Sequence, residues 1–367
     1  MVQESEGSRV ADAATVDRNV DAVEPGSPAG GSAPPQRGVP GVRGRLVRLL
    51  TLQAFAPGAA LVACVLLVGL THPLFFSSTA LEGNIQAAAL VGVAAVGMVF
   101  VLAMGEVDLS VGGIYGTCFL ICAELGIDGV PMYLAALVAV AAGIGLGAVN
   151  GILMRLFKAP SIIITLGTYS AYAGIANVVA DGNQVGAGLP LDSSFFTFLG
   201  GTLGGVPVAG WIALVLTVVL AVILNRSRVG AMVRAAGSNP SAARFSGIPV
   251  DRLRMGGLML TGGVAGLAGV LALAYSQGGD ANVGIGYELQ VLAAAIIGGT
   301  AITGGAGTVP GALIGAALVA TINSGLVFFH VNPLWNNVVT GAVILLAVGS
   351  TSLLAARRAE RMARVEA

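Results

Sequence analysis

From Leu49 onward the chain is a series of long apolar runs separated by short polar joints. A bilayer core about 30 Å thick is crossed by about 20 apolar helical residues. Ten runs approach that length, at about 52–72, 84–104, 109–125, 131–154, 160–180, 207–225, 255–275, 288–304, 309–329 and 333–355. The pattern predicts an all-α membrane protein of about ten transmembrane helices. The third and eighth runs are short, so full, bent and re-entrant forms are all open for them. Glycines recur at four-residue spacing, as in Gly112/Gly116, Gly143/Gly147 and Gly311/Gly315. That spacing lets helix backbones approach closely where lipid supplies no hydrophobic drive between helices, and it is read as packing rather than as a site.

Residues 1–44 have a different character, with stretches such as GSPAGGSAPPQRG and no apolar run. They are expected to form a disordered cytoplasmic tail, and no apolar stretch follows a basic start as in a cleavable signal. A transmembrane domain over 45–356 and a basic cytoplasmic tail over 357–367 complete the expected organisation.

Charge fixes an orientation. With the N-terminus in the cytoplasm and ten alternating spans, the basic residues fall at Arg9–Arg48, at Arg155 and Lys158, at Arg226–Arg254, and at Arg357–Arg364. All 18 then lie on the cytoplasmic side. The joints at 73–83, 126–130, 181–206, 276–287 and 330–332 contain none. Cytoplasmic loops are expected to carry the Lys and Arg excess, so both termini are assigned to the cytoplasm. Trp211 and Trp335 fall near the outer ends of their runs, where interfacial anchors belong.

Composition narrows the chemistry. Only 10% of residues are charged, against roughly 25% in soluble domains. Net charge is zero, which gives no footprint for nucleic acid. Lys158 is the only lysine and lies in RLFKAP, so a phosphate-binding Gly-x-x-x-x-Gly-Lys loop is excluded. Any energy from ATP would therefore have to come from another subunit. The glycine strings at 143–147 and 298–307 do not fit a dinucleotide fingerprint, and no cofactor is expected in this chain. Cys64, Cys118 and Cys122 lie inside apolar runs, which indicates neither a disulfide nor a metal site. His72 and His330 have no serine-protease motif beside them.

Three segments carry more information. MGEVDLSVGGIYG (104–116) places Glu106 and Asp108 at a membrane boundary, where ionisable groups are costly. Two readings are open there: Asp108 or Ser110 caps the following helix, or Asp108 lines a pathway. In NRSRVGAMVRAAGSNPSAARFSGIPVDRLRM (225–255), Ser238-Asn239-Pro240 reads as a helix start, and Gly247 with Pro249 ends a short helix. Phe245 is then an apolar knob on a basic loop. GYELQVLAAAIIGGTAITGGAGTVPGALIGA (286–316) reads as a membrane segment interrupted by Gly-Gly-Thr.

These segments resemble the permease subunits of bacterial ABC importers for ribose, xylose and related simple sugars. The resemblance runs over roughly 50–355. It rests on AVGM (95–98), VDLSVG (107–112), NG (150–151), ITLGT (164–168), RVG (228–230), GSNPSAARFSGI (237–248), GYEL (286–289) and IIGGT (296–300), with the later GALIGA and ILLAVG. It implies a homodimeric pore in the bacterial inner membrane, fed by an extracytoplasmic solute-binding protein and driven by an ABC ATPase subunit. The coupling loop would span 225–254, and its ATPase-coupling helix would comprise Ser238, Asn239, Pro240, Ala242, Ala243, Arg244, Phe245, Ser246 and Gly247. The candidate pathway positions are Asn84, Gln86, Asp108, Ser110, Thr165, Gly298, Gly299, Thr300 and Asn323.

Three features depart from the family pattern: Glu106 where a small or apolar residue is common, Ala231 where a basic residue often follows the glycine, and the long N-terminal tail. The expected cargo is a pentose or hexose. A branched-chain amino acid or nucleoside stands as the alternative within the superfamily. The rival from another class is an ion-coupled secondary transporter working through Glu106 or Asp108.

Overall fold

The computed structural model describes residues 55–332, Trp335, 338–345 and Gly349. The expected tails at 1–44 and 357–367, the start of the first run and parts of the tenth lie outside the described residues. What is described is built almost entirely of helices. In chain order these are α1 (Phe55–Thr71), α2 (Ser78–Ala103), α3 (Val111–Ile127), α4 (Met132–Phe157), α5 (Ser161–Val179), the short α6 (Ser194–Leu199), α7 (Val208–Arg226), α8 (Arg228–Ser238), α9 (Pro240–Phe245), α10 (Val250–Ser276), α11 (Tyr287–Ile297) and α12 (Val309–Phe328). A two-residue hairpin, β1 (Thr202–Leu203) with β2 (Val206–Pro207), precedes α7. Six of the described helices (α2, α4, α5, α7, α10 and α12) are long and apolar enough to cross a membrane.

The two central helices are α2 and α10, which beyond the charged first turns of α10 are apolar on nearly all faces and buried over most of their length. Helices hydrophobic all round belong inside a bundle, and these two form its interior. The others surround them, with α4 packing extensively on α10 and α12 on α2. Glycines set the closest approaches. A Cβ at Gly147 would collide with the Leu258 carbonyl of α10, and one at Gly143 would meet the Gly262 carbonyl. On the far side, Gly311 and Gly315 of α12 lie on the Gly298 and Ala294 carbonyls at the end of α11. All three glycine pairs named from the sequence therefore sit at backbone-to-backbone contacts.

The bundle has a basic end and a base-free end. Arg155 and Lys158 close α4, while Arg226–Arg254 belong to the end of α7, to α8 and α9, and to the start of α10. The opposite end carries the joints without Lys or Arg, including the 180–207 excursion with α6 and the hairpin.

The two short runs resolve differently. The third is the continuous helix α3, preceded by the irregular segment 104–110, which turns at Gly105 with φ +74°. The eighth is a half-helix. After α10 ends, residues 277–286 enter the bundle without regular structure, past a bridge between Val185 and Gly279. Only then does α11 begin, with 11 residues, or about 16 Å at 1.5 Å per residue. Residues 298–308 continue irregularly to the basic end, where Gly304 and Gly305 lie against Gly105, Gly237 and Ser238. Irregular backbone at membrane depth is tolerated only where protein or a cavity surrounds it.

Candidate functional site

The segment 104–110 is held from three sides. The Ser161 hydroxyl accepts from the Val107 N–H at 3.0 Å, and the Thr165 hydroxyl accepts from the Leu109 N–H at 3.1 Å. Both residues stand in the first turns of α5. The side chains below them form a buried chain. Asp108 Oδ1 accepts from the Ser110 N–H at 2.9 Å and the Ser110 hydroxyl at 2.6 Å, and Oδ2 accepts from the Thr261 hydroxyl of α10 at 2.7 Å. Asn150 of α4 donates to Ser110 Oγ at 2.7 Å, and the Tyr172 hydroxyl of α5 lies 3.0 Å from Asn150 Oδ1. Asp108, Ser110, Asn150, Thr165 and Thr261 are fully buried. The Asp108 carboxyl thus ties the start of α3 to α10, and the chain through Ser110 and Asn150 extends that tie to α4 and α5.

Asp108 therefore does more than end a helix. Ser110 occupies the cap position of α3 but makes no side-chain cap bond, and the Asp108 carboxyl closes a local turn onto Ser110 instead. Its remaining oxygen is committed to α10. Glu106 faces the basic end and forms an ion pair with Arg254 at 2.8 Å, both side chains being mostly buried. This pair borders a cavity of ≈ 540 Å³ whose walls also include Arg155, Lys158, Arg244 and Asp251.

The other pathway positions are dispersed. Asn84 joins α2 to α12, donating to Thr321 Oγ1 at 3.2 Å and accepting from Ser324 Oγ at 3.0 Å. Gln86 is buried on α2, and its Nε2 has no partner among the described residues. Gly298 lies on the backbone of Gly311 and Ala312, Gly299 turns the chain with φ +92°, and Thr300 is buried with an unpartnered hydroxyl. Asn323 borders a small void with Val319 and Thr340. The structure brings Asp108, Ser110 and Thr165 into one cluster and Gly298–Thr300 into another. Thr261, Asn150 and Tyr172 complete the first cluster. Their signal in the sequence was a polar group inside an apolar run, a place where partners are needed.

The basic end presents the segment singled out for docking. Ser227 caps α8, accepting from the Gly230 N–H at 3.2 Å. Asn239 caps α9, accepting from the Ala242 N–H at 3.0 Å, with Pro240 in the first turn. Gly247, at φ +80°, turns the chain out of α9. Ala236, Ala243 and Val250 form a small core under this corner, joined by Ile248 and Leu253. Arg244 pairs with Asp251 at 2.8 Å. Phe245 is left 94% exposed, an apolar ring on a rigid, capped corner. Gly237 fixes the corner to the bundle, since a Cβ there would collide with the Ala103 carbonyl at the end of α2.

An apolar helical bundle with an irregular segment at membrane depth and a capped corner at its basic end is the architecture of a multi-pass membrane protein. The family described as "Branched-chain amino acid transport system / permease component" matches residues 80–348. The ribose import permease protein RbsC of Bacillus subtilis (strain 168) is 33% identical over 297 residues, covering 81% of this chain and 92% of the relative. The L-arabinose ABC transporter permease protein AraH of Azospirillum brasilense is 32% identical over 281 residues, covering 77% and 82%. The D-allose transport system permease protein AlsC of Escherichia coli (strain K12) is 35% identical over 259 residues, covering 70% and 78%. No solved structure matches the chain. The chain belongs to this family of ABC-importer permease components, as its motifs had indicated.

Proposed function

We propose that this chain is the membrane subunit of an ATP-driven importer and passes a small sugar, a pentose or hexose, to the cytoplasm by alternating access. Two copies form the pore in the bacterial inner membrane, each with about ten spans and both termini cytoplasmic. A separate ABC ATPase docks on α8–α9, and an extracytoplasmic binding protein delivers the sugar to the base-free end. The observation that carries this reading is the α9 corner, where a capped, pinned helix holds Phe245 in solvent beside the only basic surface described. A ring so exposed is an anchor awaiting a pocket, and such anchors typically contribute about 2 kcal/mol or more. The sugar cargo is supported by the ribose, arabinose and allose relatives. The pathway is assigned to the broken segment 277–308 and to the loop at 104–110 that faces its far end.

The geometry gives the ion-coupled alternative less support. Glu106 is engaged with Arg254, and both Asp108 oxygens are engaged within the bundle. Phe245→Asp tests the docking assignment. It should abolish ATP-dependent uptake and ATPase co-purification while the permease still inserts and folds. Normal uptake together with normal ATPase capture in that variant would remove α9 as the coupling helix.

A further inference from the structure

Glu288 has no role in the polar cluster or the docking corner. It stands in the first turn of α11, where the irregular entry segment becomes helical. Its Oε2 is closed off from solvent and has no hydrogen-bond partner among the described residues. That oxygen lies directly against Gly112 of α3, where any Cβ would collide with it, and the Tyr169 ring of α5 packs at the same glycine. Gly113 and Gly116 continue a floor of bare backbone. A void of ≈ 10 Å³ lies over this floor and is lined also by Tyr169, Asn177 and Asn282; Glu288 does not line it and adjoins it only through Gly112 and Tyr169.

The depth of this place matters. Tyr169 is eight residues into α5, so it lies about 12 Å along a helix about 28 Å long. The carboxylate therefore stands near the middle of the bundle's long dimension. Buried acceptors are nearly always satisfied, and an ionisable group at mid-membrane depth is retained for a pathway or a partner. A carboxylate accepts two hydroxyl donors, and an aromatic face covers the apolar face of a sugar ring. Void space of this size holds about one water. The place is therefore closed in this conformation and opens if α5 parts from residues 281–285.

We propose that Glu288, with the Tyr169 ring beside it at Gly112, is the midplane contact for the hydroxyl groups of the transported sugar. This assignment rests on the importer reading above. It separates two carboxylates: Asp108 holds the bundle together, and Glu288 meets the cargo.

The test uses the full importer in proteoliposomes, with labelled D-ribose, L-arabinose and D-allose as probes and Glu288→Gln and Glu288→Ala as variants. Glu288→Gln keeps one carbonyl oxygen for the backbone N–H groups of Gly286 and Glu288 that bond the carboxyl, and Oε2 has no partner to lose, so the variant should keep wild-type heat resistance. Uptake by Glu288→Ala should fall about tenfold, the loss expected for a charge-assisted hydrogen bond. ATP hydrolysis stimulated by loaded binding protein should stay within about twofold, so ATP consumed per sugar should rise about fivefold or more. Unchanged uptake per ATP in Glu288→Ala overturns the assignment. So does a parallel loss of uptake, hydrolysis and heat resistance in Glu288→Gln, which marks a structural residue. A wild-type importer that hydrolyses ATP yet accumulates none of the three sugars overturns the sugar reading as well. A wild type that transports and a Glu288→Ala variant that equals it overturn this assignment alone.

Discussion

Replacing Asp108 by leucine keeps the branching and heavy-atom count of the side chain, adds the bulk of two methyl groups, and removes the acceptor of three hydrogen bonds. The losses are unequal. Thr261 can turn its hydroxyl fully to the Leu258 carbonyl, 3.0 Å away, so α10 leaves no orphan. Ser110 has no such recourse, and both its N–H and its hydroxyl lose their acceptor inside a fully buried pocket. Two orphaned buried donors cost about 1–3 kcal/mol each, while hydrogen bonds between membrane helices measure nearer 0.6 kcal/mol. Asp108→Leu should therefore destabilise the permease by about 2–4 kcal/mol.

Asp108→Asn is the informative contrast. Its oxygen keeps both bonds from Ser110, and its amide can donate to Thr261 once that hydroxyl donates to Leu258. The cost should stay below about 1 kcal/mol. The assay is the temperature of half-inactivation of the purified permease in detergent, paired with uptake in cells. Leucine should lower both clearly, and asparagine should leave both near wild type. Equal heat resistance in wild type and Asp108→Leu would refute the role of the network in holding the bundle. Asparagine as damaging as leucine, with uptake collapsing under an uncoupler at constant ATP, would instead favour the ion-coupled reading.

Three further outcomes follow from the same geometry. Gly147→Leu should prevent α4 from seating on α10, because its first side-chain atom would meet the Leu258 carbonyl, whereas Gly145→Leu, which faces open space, should be tolerated; trypsin resistance of the two variants compares them. Glu106→Gln should cost about 1–2 kcal/mol by leaving Arg254 mostly buried without its counter-charge, with much of the loss recovered in the Glu106→Gln/Arg254→Gln double variant. Additive effects in that thermal-stability cycle would show that the pair is not coupled. Removing Asp181 and Asp192 from the base-free end should slow binding-protein docking at low salt and matter little at high salt, because complementary charge acts mainly on association rate; an unchanged salt dependence would end the idea that acids on this face meet basic lobes.

Much of this was legible in the sequence because the membrane simplifies the code. Apolar runs located the long helices, and the four-residue glycine spacings marked backbone contacts without any template. The Asn239-Pro240 start and the Gly247 stop of α9 were readable because caps and turns are local. The 288–304 run was harder: hydropathy cannot separate a half-helix with irregular flanks from a short span, since both bury the same apolar residues. Asp108 was read as a cap or a pathway residue because its partners, Thr261 and Asn150, are remote in sequence. Glu288 drew no attention as a site, since a single acid at the start of an apolar run looks like an ordinary first-turn residue. Only Gly112, packed against it from another helix, reveals that its oxygen is enclosed.

The central claim is tested most directly by labelled-sugar uptake into proteoliposomes that contain this permease, with or without the ABC ATPase, under controlled ion gradients. With the ATPase on the face carrying α8–α9, ATP on that side and loaded binding protein on the other, ribose, arabinose or allose should accumulate. Omitting any one component should stop uptake, and collapsing the proton and sodium gradients should leave it unchanged. Accumulation by the permease alone, driven by a proton or sodium gradient, would contradict the account.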